Sequence, residues 1–593
     1  LTDLRSGSPS LFTTTCVRVA GEICERVRAF HWPLAYPEVA AAGGFDVVVG
    51  NPPWERIKLQ EQEFFATKDP AIASAKNKAE RQKLIEKLLV SNPPLAREFS
   101  QAKHESEDEA LFARESGRFA LTAVGDMNTY ALFSEQFRSL LSARGRAGLI
   151  VPTGIATDDT TKAFFGDLTT TRTLAGLLDF ENREGLFPAI DSRIKFCLLT
   201  LAGYAVDQAQ FVFFATGVNQ VSDPRRRFSL APSEIALFNP NTRTMPIFRT
   251  QADAELTRKI YQRVPVLDNE TTDENPWGVR FGTLFHMSND SGLFRDTPGP
   301  DLVPLYEAKL MHQYDHRWAT YVGDDVRDLT VEEKANPTMA VTPRYWVENI
   351  EVDKALTKTD KTGTIQWRWE RGWLLGWRDI ARATDERTAI YSVLPRAGVG
   401  NKVPLVFPEV DTPTLVSVLI ANVLSIPFDY VVRQKVGGTT LNFFLVKQFP
   451  VIPPSAYTPK DLDFIVSRVV ELVYTAHDVA AFAKDVLAAV GASQWAAWFP
   501  DFPLVDGKPQ PFRWDPERRA MLRAELDAYY AKLYGLTRDE LRYILYPQDV
   551  YGPDFPGETF RVLKERELRE YGEYRTRRLV LEAWDNLVSD LPV

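Results

Sequence analysis

Residues 45–50 read FDVVVG, a short, nearly continuous apolar run of the kind that a parallel strand buried on both faces shows. The run stops at Asn51-Pro52-Pro53, where two prolines end sheet pairing. From about 60 to 118 the chain is rich in Lys, Glu and Ala and reads as helical, with a break at Asn92-Pro93-Pro94. The charges of that stretch read as solvated helix faces. A helix is expected at about 128–143, followed by Gly145 and a buried strand, GLIVP, at 148–152. The apolar runs at 174–180 and 194–201 repeat the strand pattern. Strands alternating with helices predict an α/β fold with a mostly parallel sheet.

The texture changes after about Leu267. Residues 275–455 hold Trp277, Trp318, Trp346, Trp367, Trp369, Trp373 and Trp377 among short β-prone runs punctuated by Gly and Pro. A second, β-containing domain is expected there, with the indoles packed in its core rather than serving as stacking platforms for single-stranded nucleic acid. Helical patterns return from Pro459: residues 461–490 are amphipathic, and 515–534 read as a helix ending near Gly535. The predicted organisation is an α/β domain at 1–268 with a helical insertion at about 60–118, a β-containing domain at 269–456 and a helical region at 457–593.

Composition adds exclusions. With 45% hydrophobic and 25% charged residues over 593 positions, the chain is of ordinary globular type, so collagen-like, coiled-coil and fully disordered readings fall away. Three cysteines, Cys16, Cys24 and Cys197, cannot make a disulfide framework or a four-thiolate zinc site, and reduced, buried thiols in a cytosolic protein are expected. No apolar run approaches the roughly 20 residues that span a bilayer, so no membrane is expected. The net charge of −9 excludes a polycation that coats nucleic acid indiscriminately. The chain begins Leu1-Thr2-Asp3, with neither Met nor a signal peptide, which reads as a truncation.

The candidate chemistry is the tetrapeptide Asn51-Pro52-Pro53-Trp54 directly after a strand, the position at which open α/β sheets bind ligands. The exocyclic amine of adenine is a poor nucleophile because its lone pair is delocalised into the ring. A side-chain carbonyl from Asn51 and the backbone carbonyl of Pro52 can both accept hydrogen bonds from that amine, and proline's fixed φ pre-organises the turn. This is catalysis by positioning and electrostatics, without a covalent intermediate. Trp54 offers a flat face to an extruded base. The competing reading is a strand-ending turn with a packed Trp.

The run HWPLAYPEVAAAGGFDVVVGNPPW at 31–54 resembles the approach to the catalytic motif of large DNA adenine-N6 methyltransferases, those of type IIG restriction–modification enzymes and of the related BREX and DISARM phage-defence systems. Residues 127–159 and 177–201 are similar to the helix and strands that follow the motif in that family. Residues 305–321, 387–407, 428–454 and 555–584 resemble the same large methylases, with 387–407 and 428–454 similar to parts of their target-recognition region. The resemblance implies a partial Rossmann-like methyltransferase domain, a β-containing target-recognition domain and a helical carboxyl-terminal region. It implies a catalytic set of Asn51, Pro52, Pro53 and Trp54. Phe196 is the match for the aromatic that packs on a flipped adenine, with a core Phe the equal alternative. It also implies S-adenosyl-L-methionine as methyl donor, double-stranded DNA as substrate and possible companion restriction or defence subunits. In the family, the donor's glycine loop and the acidic residue that holds its ribose precede the motif. Residues 1–45 have no room for them, and the donor loop is expected upstream of Leu1. Gly398 and Gly400 lie far downstream without a strand–turn–helix context.

Other constellations are weaker. Asp301 with Glu307 and Lys309 imitates a metal-dependent nuclease. His312 and His316 are four apart, as on one helix face, but Gln313 stands where a zinc protease has Glu. Lys309, His312, Gln313 and Arg317 are expected to meet DNA or to pack, and Arg433, Lys435, Thr439, Thr440 and Asn442 around Gly437-Gly438 to meet DNA, with a solvated hairpin as the even alternative for the second group. Arg225-Arg226-Arg227 reads as a surface loop. The expected function is site-specific, base-flipping adenine-N6 methylation of DNA in a restriction–modification or defence system. The alternatives are a fused endonuclease–methylase and a DNA-binding specificity module that does not methylate.

Overall fold

The computed structural model describes residues 15–410 and 412–589, without the side chains of residues 15–17, 79, 588 and 589. The Leu1-Thr2-Asp3 start and the Cys16 thiol lie outside the described residues. The chain divides into two compact units. The first comprises residues up to Pro152 together with 170–177 and 197–207; the second comprises 153–169, 178–196 and everything from Gln208 onward. The units do not part at 268 or 456, and the carboxyl-terminal helices belong to the same unit as the tryptophan-rich strands.

In the first unit, strands β1 (Phe45–Gly50), β2 (Leu141–Pro152), β3 (Leu174–Glu181, as far as Leu177 here) and β4 (Lys195–Ala202, from Cys197 here) lie in the order β1-β2-β4-β3. β1 and β2 are parallel, with Val47 opposite Arg146 and Gly50 opposite Leu149; a register shift between Phe45 and Val47 absorbs the longer β2. β2 starts at Leu141, so the expected strand at 148–152 is only its second half. Its inward residues Ala147, Leu149 and Val151 are almost fully buried. The helix Thr129–Ser139 feeds β2. Gly44 precedes β1 at φ +122°, and a Cβ there would lie 2.6 Å from the Leu140 carbonyl oxygen, so this turn needs glycine.

β1 differs from the expectation of a strand buried on both faces. It is the end strand of the sheet, and Val47 and Val49 are 68% and 80% exposed. Among the described residues nothing covers these two valines.

The insertion is helical as expected: Glu61–Ala66, Pro70–Ala73, Lys78–Ser91 and Pro93–Glu115. The break falls at Asn92, whose side chain accepts from the Leu95 N–H and caps the long helix, while the prolines occupy its first turn. Phe65, Ile72, Leu88 and Leu95 form the core of this bundle.

In the second unit, β3 neighbours β5 (Ala209–Ala215), which pairs antiparallel with β6 (Phe228–Leu230). Further along, four short antiparallel strands, Tyr391–Pro395, Trp373–Trp377, Leu405–Pro408 and Val279–Gly282, lie side by side in that order. Trp277, Trp373 and Trp377 are buried, which fits the core reading of those indoles. The helices Pro459–Val473, Ala480–Trp498, Pro516–Leu533 and Arg575–Ser589 complete the unit. Asp515 caps the third of them, and Gly491 (φ +82°) kinks the second. The fold class is α/β with several mixed sheets and many helices. Cys197 is buried, but Cys24 is exposed, which corrects the expectation of buried thiols. Among the described residues no single helix is long and apolar enough to cross a membrane.

Candidate functional site

The Asn51–Trp54 tetrapeptide leaves the carboxyl end of β1 and is pinned from below by the start of the helix Thr129–Ser139. The Thr129 hydroxyl lies 2.7 Å from the Pro53 carbonyl oxygen, to which it donates, and accepts from the Glu55 N–H at 3.0 Å. The Thr129 N–H donates to the Glu55 carbonyl at 2.9 Å and the Ile57 N–H to the Met127 carbonyl at 3.1 Å. Arg56 and Asn128 form a one-residue antiparallel bridge. The loop is therefore anchored on its carboxyl side by backbone pairing and in its middle by one hydroxyl. Asn128 caps the helix through its side chain and the Tyr130 N–H, which fixes where Thr129 falls.

Within the loop, Asn51 is exposed, Pro52 is buried, Pro53 is exposed and Trp54 is half-buried. The Asn51 amide at the strand end is thus open to solvent, with the buried Pro52 ring behind it. Immediately before the loop, Gly50 lets the Phe137 ring pack close: a Cβ there would lie 2.9 Å from it. The Trp54 indole N–H is buried and has no hydrogen-bond partner among the described residues. Most buried donors in folded proteins are hydrogen-bonded. At the opposite end of β1, Asp46 pairs with Arg144 at 3.0 Å and accepts from Ser142 at 2.9 Å, and the Arg144 guanidinium holds its carboxyl below the usual range.

Phe196 lies in the second unit. It is 5% exposed, stacks on Phe180 at 5.3 Å and meets Phe187 edge-on at 5.1 Å. The Phe180 ring thus covers one of its faces. In the same unit the Asp179 carboxylate accepts from the Thr153 hydroxyl and from the Phe214 N–H, and burial raises its pKa. Lys195 ion-pairs with Glu181 at 3.1 Å and donates to the Gly437 carbonyl at 3.2 Å.

Several expected DNA contacts are corrected by burial. The stretch around His312 and His316 is a tight loop closed by a His312–Asp315 bridge, with Tyr314 at φ +56°, and not a helix. Gln313 is 3% exposed and donates to the Ala389 carbonyl. Arg317 is fully buried and donates to the carbonyls of Lys334, Asn336, Met339 and Thr475. His316 binds Asp478 at 2.7 Å. His312 rests on Trp318, and burial together with the Arg378 charge holds its pKa well below the usual histidine range. Of that group only Lys309 is exposed.

Arg433 is likewise internal: it pairs with Asp429 and donates to the carbonyls of Ala383, Glu386 and Thr559. Lys435 is buried against the Phe238 and Gln448 carbonyls. These cations tie loops together, since a guanidinium or ammonium can satisfy several orphan carbonyls at once. Thr439, Thr440 and Asn442 remain accessible and line a cavity of about 320 Å³ with residues 157–160. Asp301 is exposed in a left-handed turn, and Glu307 accepts from the Tyr321 hydroxyl and lies near Lys309. Among the described residues no group of three His, Cys, Asp or Glu side chains stands close enough to hold a metal ion.

Sequence reasoning missed Thr129. Its signal was present as Asn128-Thr129 at the start of a helix, but nothing in the spacing links that helix to a loop 76 positions earlier.

Comparison with known proteins bears on the same segment. Residues 13–85, which contain the tetrapeptide, match the family model of the Eco57I restriction-modification methylase. No curated protein matches the chain. Among solved structures, the type IIL restriction-modification enzyme MmeI in complex with DNA is similar at 9% identity over 90% of this chain and 57% of that one, with a TM-score of 0.33. The type IIG restriction endonuclease BpuSI is similar at 13% identity over 77% and 54%, with a TM-score of 0.25. The DrdV–DNA complex is similar at 10% identity over 94% and 58%, with a TM-score of 0.33. The chain spans little more than half the length of these proteins. The resemblance read from residues 31–54 is to a restriction-modification methylase, and it is the Eco57I methylase family that the segment bearing Asn51–Trp54 matches.

Proposed function

We propose that this chain carries the target-base half of a site-specific DNA adenine-N6 methyltransferase of a restriction–modification system. The observation that carries the reading is the anchored, strand-terminal Asn51–Trp54 loop inside the segment that matches a restriction-modification methylase family. Asn51 and the Pro52 carbonyl accept from the exocyclic amine of an extruded adenine and free its lone pair for attack. Trp54 bears on the face of the base. Pro53 keeps the loop taut and hands its carbonyl to Thr129.

S-adenosyl-L-methionine supplies an electrophilic methyl group in this chemistry. The described residues do not by themselves fit it: β1 has one paired edge, and Val47 and Val49 are bare. In this reading, further strands that carry the donor loop pair along the open edge of β1 and cover its apolar face. Double-stranded DNA is the partner.

The test is Asn51→Ala in the intact protein, with transfer of radiolabelled methyl groups to unmodified genomic DNA. Loss of an acceptor that acts in the transition state is expected to lower transfer by about 10²–10³-fold while duplex binding changes little. Transfer at the normal rate removes the site assignment. Absence of transfer by the wild-type intact protein with donor and DNA present leaves a binding module instead.

A further inference from the structure

Immediately after Trp54 the chain forms one wall of a cleft of about 390 Å³. Residues 56–61 make that wall, the helix Pro93–Glu115 makes the opposite one, and residues 125–127 close the end. The cleft lies wholly within the first unit. Its walls are fixed to each other. The Leu59 N–H donates to the Ser106 hydroxyl at 3.0 Å, and the Ile57 N–H donates to the Met127 carbonyl. Three elements thus hold the opening at a set width, and one of them is the same Met127–Thr129 stretch that anchors the tetrapeptide.

The charges at the cleft are not balanced within the protein. On the motif wall, Arg56 and Lys58 are exposed, and neither side chain has a hydrogen bond or ion pair among the described residues. On the helix wall, Lys103 meets Glu107 only at 3.9 Å with both side chains 59% exposed, a separation that contributes little. Arg114 donates to the Gly125 carbonyl and has no carboxylate partner among the described residues. Of the acids there, Glu61 is committed to Arg81 and Gln82, Glu107 stands 3.6 Å from His104 and 3.9 Å from Lys103 without a close bond to either, and Asp126 is exposed. The helix sorts its charges by face. Phe99, Lys103, Ser106, Ala110 and Arg114 recur at the three- and four-residue spacing that lines the cleft, and Glu107 is the one acid of this helix that lines it too, whereas Glu105, Asp108 and Glu109 do not. A helix with an excess of acids therefore turns two of its cations and only one acid toward the cleft.

We propose that this cleft holds the sugar–phosphate backbone of the target strand beside the extruded adenine, with Arg56 and Lys58 on its phosphates from the motif side and Lys103 and Arg114 from the helix side. The inference rests on the reading of Asn51–Trp54 as a base-binding loop, and deepens it by assigning the path of the strand. A volume of this size matches pockets that hold small ligands, at roughly 300–1,000 Å³, so it takes one or two nucleotides of a locally unpaired strand and excludes a duplex. Four cations with no carboxylate firmly committed to them are matched by phosphodiesters, each carrying one charge and two acceptor oxygens. The insertion at 61–115 thereby acquires a purpose, since it supplies the second wall and the backbone is gripped next to the base it presents.

The test uses the intact protein, fluorescein-labelled 30-mer duplexes with either a central A·T pair or a central A·A mismatch, and fluorescence anisotropy from 50 to 300 mM NaCl. A mismatched adenine leaves the stack at lower cost, so the wild type is expected to bind the mismatched duplex more tightly. In Arg56→Gln/Lys58→Gln, loss of two phosphate contacts is expected to flatten the plot of log K against log salt by about 2, at roughly 0.9 per contact, and to remove the preference for the mismatch. Lys103→Gln is expected to flatten it by about 1. All three side chains are exposed, and unchanged thermal melting of the variants checks that the fold is retained. Unchanged salt slopes in the variants overturn the cleft assignment and leave the base-binding loop standing. A wild-type protein that binds neither duplex overturns both.

Discussion

The Thr129 hydroxyl holds the Pro53 carbonyl at 2.7 Å and the Glu55 N–H at 3.0 Å, so one small side chain fixes the middle of the candidate catalytic loop. The loop has two prolines and hence few backbone donors of its own. Its position must come from a neighbour, and Thr129 is the neighbour that touches both sides of Trp54.

Thr129→Val keeps the shape and removes the hydroxyl. Pro53 and Glu55 are exposed, so water replaces the lost bonds and the fold is expected to lose no more than about 1 kcal/mol. A catalytic group displaced by a fraction of an ångström costs rate far more than stability. Methyl transfer by the intact protein is expected to fall about tenfold in kcat with DNA affinity nearly unchanged, and Thr129→Ser is expected to restore it. A Val variant with the wild-type kcat removes the positioning role.

The legible and illegible parts of this chain divide along a physical line. β1, β3, β4, the capped break at Asn92 and the helix after Asp515 are readable because periodicity and capping are local. The end of β1 before Asn51 is readable because two adjacent prolines stop sheet pairing locally. The roles of Gln313, Arg317, Arg433 and Lys435 are not, because a donor that meets a phosphate and a donor that meets a buried carbonyl look alike in sequence. Thr129 escapes because its partner is 76 residues away. The bareness of β1 is hidden too, since an apolar run shows what a strand is suited to and not what covers it.

Burial makes a clear distinction for Arg433. It pairs with Asp429, which is fully buried and also holds Arg387 at 2.6 Å, and it serves three backbone carbonyls. Arg433→Met leaves those carbonyls unsatisfied and is expected to cost about 3–5 kcal/mol in urea unfolding. The salt dependence of DNA binding is expected to stay as in the wild type, whereas a lost phosphate contact lowers the slope by about 0.9. A stable variant with a flatter slope returns Arg433 to the DNA interface.

In the proposed function, further strands cover the face of β1 that is bare among the described residues. Val47 and Val49 lie two residues apart on one side of the strand and are largely exposed. Val47→Lys/Val49→Lys in the 593-residue chain is expected to change stability by no more than about 0.5 kcal/mol per site. In the intact protein the same pair is expected to cost about 1.5–3 kcal/mol per buried valine and to abolish methyl transfer. Thermal melting of both forms decides it: an equally small effect in each shows that nothing covers this strand.

Asp527 gives the second unit a pH dependence of unusual sign. Burial raises its pKa to about 6, against the opposing pull of Arg387, the Ile426 N–H and Arg523. In the unfolded chain an aspartate titrates near ~3.9. Between those values the folded state holds the proton more often than the unfolded state does, so stability falls as pH rises from about 4 to 6 and levels off above that range. A shift of about two units corresponds to roughly 2–3 kcal/mol. Asp527→Asn keeps an oxygen for the Ile426 N–H and has no charge to bury. Its stability relative to the wild type is expected to rise across pH 4–6 by about that amount, measured as urea midpoints at pH 4, 5, 6 and 7. A difference between variant and wild type that stays constant across this range shows that Asp527 titrates in the folded protein as it does in the unfolded chain.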